Sequence, residues 1–302
     1  MGSPLVSVLV PTYNAETFVG DCLRSIMAQT YADIELIVVD DRSTDATFEV
    51  ARETLGGWPG ATVLRNDVNL GNLGNARRLL TMARGPLVKF VCNDDLLAPE
   101  AISRLVAALV DHPQAVLATS HRTPIDSSGA PLSLDLIPLP PFPVDALVDG
   151  MAAGNDMLCN LRNWIGEPTT VLFRRHLLPP DGDLYKLGDR TVGPNADVAW
   201  WLKMLAQGPA VVINEHLSSF RVHPGQVTRT TGLADLVLDW YDIIVGSRAF
   251  GYLAEPELEI SSWTVFADTV SRHAHSFDEE GRLRAIEVTS SVASRLGALC
   301  PV

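Results

Sequence analysis

The chain has 302 residues, 47% of them hydrophobic, which supplies a core for one large α/β domain or two small ones. A formal net charge of −13, from 23 Lys and Arg against 36 Asp and Glu, argues against nucleic acid as a partner, because phosphate neutralisation requires a basic surface. No stretch approaches the roughly 20 apolar residues of a membrane span and no signal-peptide core opens the sequence, so a cytoplasmic location is expected, with a peripheral position at the inner face of the membrane left open.

Strand-like runs alternate with helical patterns up to about Thr119, as in βαβ units around a mostly parallel sheet. Val6 to Val10 reads as the first strand, and Val19, Cys22, Leu23, Ile26 and Met27 then recur on one helix face. Ile34 to Val39 is a second strand, followed by a helix carrying Phe48, Ala51 and Leu55. Ala61 to Leu64 precedes a helix with Leu73, Ala76, Leu80 and Ala83. Leu87 to Cys92 precedes one that opens near Pro99 and carries Ile102, Leu105, Val106 and Leu109. Ala115 to Thr119 is a fifth strand.

The alternation then breaks. Residues 122–150 hold Pro124, Pro131, Pro138, Pro140, Pro141 and Pro143, which predicts an extended excursion across the surface. Strand-like runs return at Thr170 to Phe173 and Ala210 to Ile213, separated by a Gly/Asp-rich loop over 179–194 and a short helix over 197–206. From Leu233 the pattern is helical, with Leu233, Leu236, Val237, Trp240, Ile243 and Ile244 on one stripe. Asp235, Asp239 and Asp242 beside that stripe favour packing against protein over anionic lipid, and a homodimer through this tail stays open. Cys22, Cys92, Cys159 and Cys300 form no CxxC pair and are read as free thiols.

The chemistry gathers at strand ends. Three apolar runs in the first hundred residues stop at Pro11-Thr12-Tyr13-Asn14, Asp40-Asp41 and Asn93-Asp94-Asp95, and α/β proteins bind ligands outside the carboxyl ends of their strands. Asp41 suits a base N–H, and Tyr13 offers a ring for stacking, an interaction worth about 1–3 kcal/mol, although ordinary turn packing would also explain it. Adjacent carboxylates at Asp94 and Asp95 repel unless a cation or a hydrogen-bond network offsets them. Mg²⁺ or Mn²⁺ takes one or two such carboxylates together with substrate phosphates, while capping of the helix near Pro99 is the alternative.

Taken in order and spacing, VSVLVPTYN, the helix end Ile26-Met27-Ala28-Gln29-Thr30-Tyr31, IELIVVDDRSTD, the turn Asn69-Leu70-Gly71 and FVCNDDLLAP closely resemble family 2 glycosyltransferases of the GT-A fold, over roughly residues 4–225. The resemblance implies an α/β GT-A fold: a mostly parallel central sheet flanked by helices, Rossmann-like in its nucleotide-binding half, with an α-helical C-terminal appendage. It divides the chain into a nucleotide-sugar-binding half at 1–120, an acceptor-binding and catalytic-base half at 121–230 and a helical extension at 231–302. It further implies inverting transfer of a sugar from a nucleotide diphosphate sugar to a sugar, lipid-linked, peptide or small-molecule acceptor. A UDP-sugar is the favoured donor, with GDP and dTDP open.

Residue by residue, the resemblance assigns Pro11, Thr12, Tyr13, Asn14, Asp41 and Asn69 to the nucleotide, Asp94 to ribose and metal, and Asp95 to metal. Asn195-Ala196-Asp197, before an aromatic-rich helix, matches the catalytic-base segment and makes Asp197 the general base. Arg221-Val222-His223-Pro224-Gly225 matches a late segment whose His joins the metal or touches the diphosphate. Members often carry Asp-x-Asp-Asp where this chain has Cys92-Asn93-Asp94-Asp95, so the first carboxylate is missing. A nucleotidyltransferase would need a Gly-rich, Arg/Lys-bearing phosphate loop and a dinucleotide oxidoreductase a GxGxxG turn, and neither is present; a non-catalytic nucleotide-sugar-binding module stays open.

Overall fold

Apolar, β-branched runs need cover on both faces, and in the computed structural model, which describes residues 2–178 and 183–299, they lie inside a nine-stranded sheet. In chain order the strands are β1 (Val6–Thr12), β2 (Ile34–Asp40), β3 (Ala61–Arg65), β4 (Leu87–Phe90), β5 (Leu96–Leu97), β6 (Leu117–Ile125), β7 (Ala146–Val148), β8 (Leu172–Arg174), β9 (Lys186–Leu187), β10 (Arg190–Thr191) and β11 (Ala210–Arg221). The helices are α1 (Val19–Met27), α2 (Thr47–Thr54), α3 (Gly71–Met82), α4 (Ala101–Asp111), α5 (Gly150–Asn160), α6 (Ala196–Leu205), α7 (Val227–Thr230), α8 (Leu233–Ser247), α9 (Pro256–His273) and α10 (Glu279–Leu299).

Two units interleave along the sequence. The described residues within Met1–Val148, Trp164–Asp183 and Pro209–Val222 form the first, and those within Asp149–Asn163, Leu184–Gly208 and His223–Val302 the second. β6, which crosses 120/121, lies wholly in the first unit, and residues 230 and 231 both lie in the second.

The first unit holds the whole large sheet, in the order β3-β2-β1-β4-β8-β6-β11-β5, with β7 also on β11. β1, β2, β3, β4, β6 and β11 point one way, and only the short β5, β7 and β8 oppose them. Val6, Val8, Val10, Leu36 and Val38 bury fully against the predicted faces of α1 and α4, including Cys22, Leu23, Ile26, Ile102 and Leu105. Each such fully buried aliphatic side chain contributes roughly 1.5–3 kcal/mol.

Three expectations change here. β6 continues through Pro124 to Ile125 instead of entering an excursion, because β8 covers only Leu117 and Ala118 and leaves an edge that tolerates proline. The end of the expected excursion is ordered as β7 on β11 and as α5, whose first turn is capped by Asp149 accepting from Ala152 N at 2.8 Å. β11 runs on to Arg221, well past Ile213. Register shifts between Ile213 and His216 and between His216 and Ser218 turn Asn214, Glu215 and His216 outward and interrupt the apolar pattern. Part of the loop expected over 179–194 lies outside the described residues, as does Cys300; Cys22, Cys92 and Cys159 are free thiols.

The second unit is helical apart from the β9–β10 hairpin. α6 is buried nearly all round, which is why its sequence carries no stripe. The apolar stripe of α8 packs on α9 and α10 of the same chain: Val237, Trp240, Ile243 and Ile244 are covered and only Leu233 is exposed. Among the described residues no helix is long and apolar enough to cross a membrane. Gly154 of α5 lies against the Tyr252 ring, whose hydroxyl donates to Leu202 O at 2.7 Å. Buried Glu259 accepts from Arg248, from Arg295 Nε at 2.7 Å and from Trp263 Nε1 at 3.3 Å. Burial pushes its carboxyl up, but the hydrogen bonds from Arg295, Arg248 and Trp263 outweigh that and hold it down at about 2.

Two outcomes follow from this packing. A Cβ at Gly154 would stand 2.2 Å from Tyr252 Cε1, so Gly154→Ala is expected to cost about 1–3 kcal/mol in denaturant unfolding. Glu259 titrates lower folded than its ordinary 4.5, so its contribution is complete above pH 4.5 and fades as pH falls toward about 2. The melting temperature should drop through that window in the wild type, and Glu259→Gln should show a shallower drop.

Candidate active site

β2, β1 and β4 are adjacent and parallel, and β1 and β2 end level, Thr12 opposite Asp40, so their carboxyl ends form one edge. Past the last ladder bonds, side chains stitch that edge. Asp41 N donates to Thr12 O at 2.8 Å, and Asn93 Nδ2 donates to Pro11 O at 3.1 Å. Asn14 takes φ +47°, the left-handed region that asparagine tolerates, and its N donates to Ser43 Oγ at 2.9 Å while its Oδ1 accepts from Thr44 N at 2.9 Å. Ala15 N donates to Thr47 Oγ1 at 2.7 Å, and Glu16 and the Asp45–Ala46 turn exchange hydrogen bonds of 3.1 and 2.9 Å. Tyr13 is therefore presented from a fixed backbone with 48% of its surface exposed.

Thr12 is buried, and its carbonyl accepts Asp41 N. Asp40 is structural, accepting from Ser43 N at 3.0 Å and pairing with Arg65 at 3.3 Å. Asp41 is buried, and its Oδ1 accepts both Asn66 Nδ2 at 2.6 Å and Leu70 N at 2.8 Å. Those bonds draw the Asn69–Gly71 turn to the edge, where Asn69 Oδ1 accepts Gly71 N at 2.9 Å. Asn75 Nδ2 donates to Val39 O at 2.9 Å and Arg78 Nη1 to Asn66 Oδ1 at 2.7 Å. Asn66, Asn75 and Arg78 were not singled out from sequence; the polar positions on the inner face of α3 were the available signal.

At the third strand end Asp95 is 1% exposed, its Oδ2 accepting Thr169 Oγ1 at 2.6 Å and its Oδ1 accepting Arg221 N at 3.0 Å. Arg221 Nε donates to Asp94 O at 2.8 Å, and Asp94 itself is half-buried. One carboxylate oxygen from each aspartate and Cys92 Sγ lie within 4.8 Å of one another. Burial, then the charge of Asp94, then that of Glu167 push the Asp95 carboxyl well above the usual carboxylate range. Burial, then Asp95 and Asp94, likewise raise the Cys92 and Cys22 thiols, and Cys22 Sγ donates to Cys92 O at 3.3 Å. Two crowded carboxylates fit a hard divalent cation; a neutral thiol beside them is a poor ligand for Mg²⁺ or Mn²⁺.

Behind the pair lies a buried group that the residue pattern did not single out. Lys89 of β4 is 0% exposed, its Nζ donates to Thr169 O at 2.6 Å, and burial lowers its pKa to about 7. Arg122 Nε pairs with Glu167 Oε2 at 2.7 Å.

Asp197 and His223 belong to the second unit. Asp197 lies in the first turn of α6, its Oδ2 accepting Asn163 Nδ2 at 2.8 Å and its Oδ1 accepting Val198 N at 2.9 Å. His223 is half-buried. Trp200 and Trp201 of α6 are both buried and stacked at 4.8 Å, because α6 is enclosed nearly all round.

Comparison with known proteins agrees with this architecture. The glycosyl transferase family 2 model matches residues 7–157. An uncharacterized protein of Mycobacterium tuberculosis (strain CDC 1551 / Oshkosh) is 32% identical over 244 residues, 78% of this chain and 73% of that one. The poly(ribitol-phosphate) beta-glucosyltransferase of Bacillus spizizenii is 33% identical over 102 residues, 33% of this chain, which spans only 16% of that relative's length. The structure of S. aureus TarS 1-349 in complex with UDP-GlcNAc superposes with a TM-score of 0.69 at 21% identity, covering 98% of this chain and 83% of that one. The chain belongs to glycosyl transferase family 2 and has the fold of its GT-A members, and it is by family a glycosyl-transfer enzyme.

The raised thiols give a direct check. Alkylation by iodoacetamide near pH 8 needs thiolate, so Cys22 and Cys92 should label far more slowly in the native than in the denatured protein, read by mass spectrometry.

Proposed function

We propose that the protein transfers a sugar, with inversion, from a UDP-sugar to the hydroxyl or other nucleophile of a sugar, lipid-linked, peptide or small-molecule acceptor. The observation that carries this reading is the stitched edge of β2, β1 and β4, which gathers an exposed aromatic ring, a half-engaged buried carboxylate and an acidic pair on three neighbouring strand ends. Tyr13 stacks on the base, and Pro11, Asn14 and Asn69 line its loops. Asp41 Oδ2, which makes no hydrogen bond among the described residues, accepts a base N–H while Oδ1 holds the Asn69 turn. The UDP-GlcNAc bound by TarS favours uridine among the bases.

Asp94 and Asp95 would hold Mn²⁺ or Mg²⁺ and Asp94 the ribose, with His223 directed to the same cation or to the diphosphate by its sequence match. When bound, the cation offsets charge on the departing diphosphate. Asp197 takes the acceptor's proton as the new bond forms, and attack comes from the face opposite the leaving group. Its place in the first turn of a helix favours the ionised form, and Asn163 fixes its orientation.

Thermal shift with UDP, GDP, CDP and dTDP, with and without Mn²⁺, tests the donor. A Mn²⁺-dependent shift with UDP is expected, reaching about 2.7 kcal/mol at 100 times Kd, and no shift with any nucleotide would sink the reading. Asp41→Ala should weaken UDP binding about ten- to hundredfold, the worth of a hydrogen bond to a charged group at about 1.5–3 kcal/mol. Asp197→Asn should keep UDP binding and lower UDP release from donor plus acceptor by about 10²- to 10⁴-fold.

A further inference from the structure

Asp95 is 1% exposed, so the lone pairs it can offer a cation are decided by what holds it from behind. Thr169 holds it twice. Its single hydroxyl donates to Asp95 Oδ2 at 2.6 Å and accepts from Cys92 N at 3.0 Å, clamping both ends of the Cys92-Asn93-Asp94-Asp95 loop from inside. The only proton of the hydroxyl goes to the carboxylate, which fixes the polarity of the clamp.

Thr169 is itself immobilised. It is 0% exposed in the 3₁₀ turn Pro168–Thr170, and its carbonyl accepts Lys89 Nζ at 2.6 Å. Gly166 leads into that turn at φ +100°, where a Cβ would meet Thr170 Oγ1 at 2.8 Å and Arg122 Nη1 at 3.0 Å. Lys89 stands on β4, the strand that leads directly to the acidic pair. Burying an ammonium is costly, and an apolar side chain would fill a central strand at less expense. Lys89 Nζ donates to Thr169 O and, at 3.5 Å, to Val171 O, so it ties the end of the turn to β4.

We propose that Thr169, locked by Lys89, is a positioning residue for the metal-binding carboxylates: its hydroxyl orients Asp95 so that the remaining lone pairs, together with Asp94, face the cation. This rests on the assignment of Asp94 and Asp95 to the metal. Groups that orient metal ligands in this way typically account for about 10- to 100-fold in metal affinity.

The test is Mn²⁺ titration of Thr169→Val and Thr169→Ser in the presence of UDP, with UDP affinity in EDTA measured alongside. Thr169→Val should raise the Mn²⁺ half-saturation concentration about 10- to 100-fold and leave UDP affinity in EDTA unchanged, and Thr169→Ser should restore it to near wild type. Should the valine variant not fold, Thr169→Ala deletes the hydroxyl without the branched replacement and carries the same expectation. If the wild type binds Mn²⁺ with UDP and the hydroxyl-less variant matches it, or if UDP affinity in EDTA falls by the same factor, the positioning role alone is overturned. If the wild type shows no Mn²⁺-dependent UDP binding, both the role and the metal assignment fall.

Discussion

Parallel pairing of β1 with β2 and β4 is the constraint on which the site depends. Three neighbouring strands that run the same way deliver three chain ends to one edge, beyond which the ladder offers no further partners. The polar groups left there must be satisfied by side chains. Asn93, Asn14, Ser43 and Thr47 do this, and in doing so they fix the loops that present Tyr13 and Asp94. The order of the edge is thus a by-product of hydrogen-bond satisfaction.

The same edge concentrates buried acids. Asp40, Asp41 and Asp95 are each nearly inaccessible, yet each is met by donors from another segment: Ser43 and Arg65, Asn66 and Leu70, Thr169 and Arg221. Such networks are stabilising only when every member is satisfied, so each acid also acts as a registration point for the segment that serves it. Asp94 differs in being half-buried, and that difference divides the adjacent pair into an inner and an outer carboxylate.

Much of this was legible because it is periodic or local. The strands around Val6, Ile34 and Leu87 and the faces of α1 and α4 were set by β-branched runs and helical spacing, and Tyr13, Asp41, Asp94 and Asp95 follow those runs immediately. What escaped was non-local. Thr169 and Arg221 reach Asp95 across 74 and 126 residues, separations at which no spacing argument operates. Lys89 was hidden by its apolar strand, and the continuation of β11 past Ile213 by bulges that turn Asn214, Glu215 and His216 outward. α6 was read as a helix, but one buried nearly all round has no stripe to show which way it faces.

The interleaving of the units bears on how the chain is made. Residues 209–222 return to the sheet after two departures into the helical unit, and they bring β11, which pairs β5, β6 and β7, together with the backbone N–H that Asp95 accepts. A nascent chain emerging from the ribosome carries its β1, β2 and β4 ends long before it carries that strand. Completion of the acidic loop is therefore a late event in synthesis, and a product truncated before Arg221 would lack the donor to Asp95 Oδ1 however well its first hundred residues had folded.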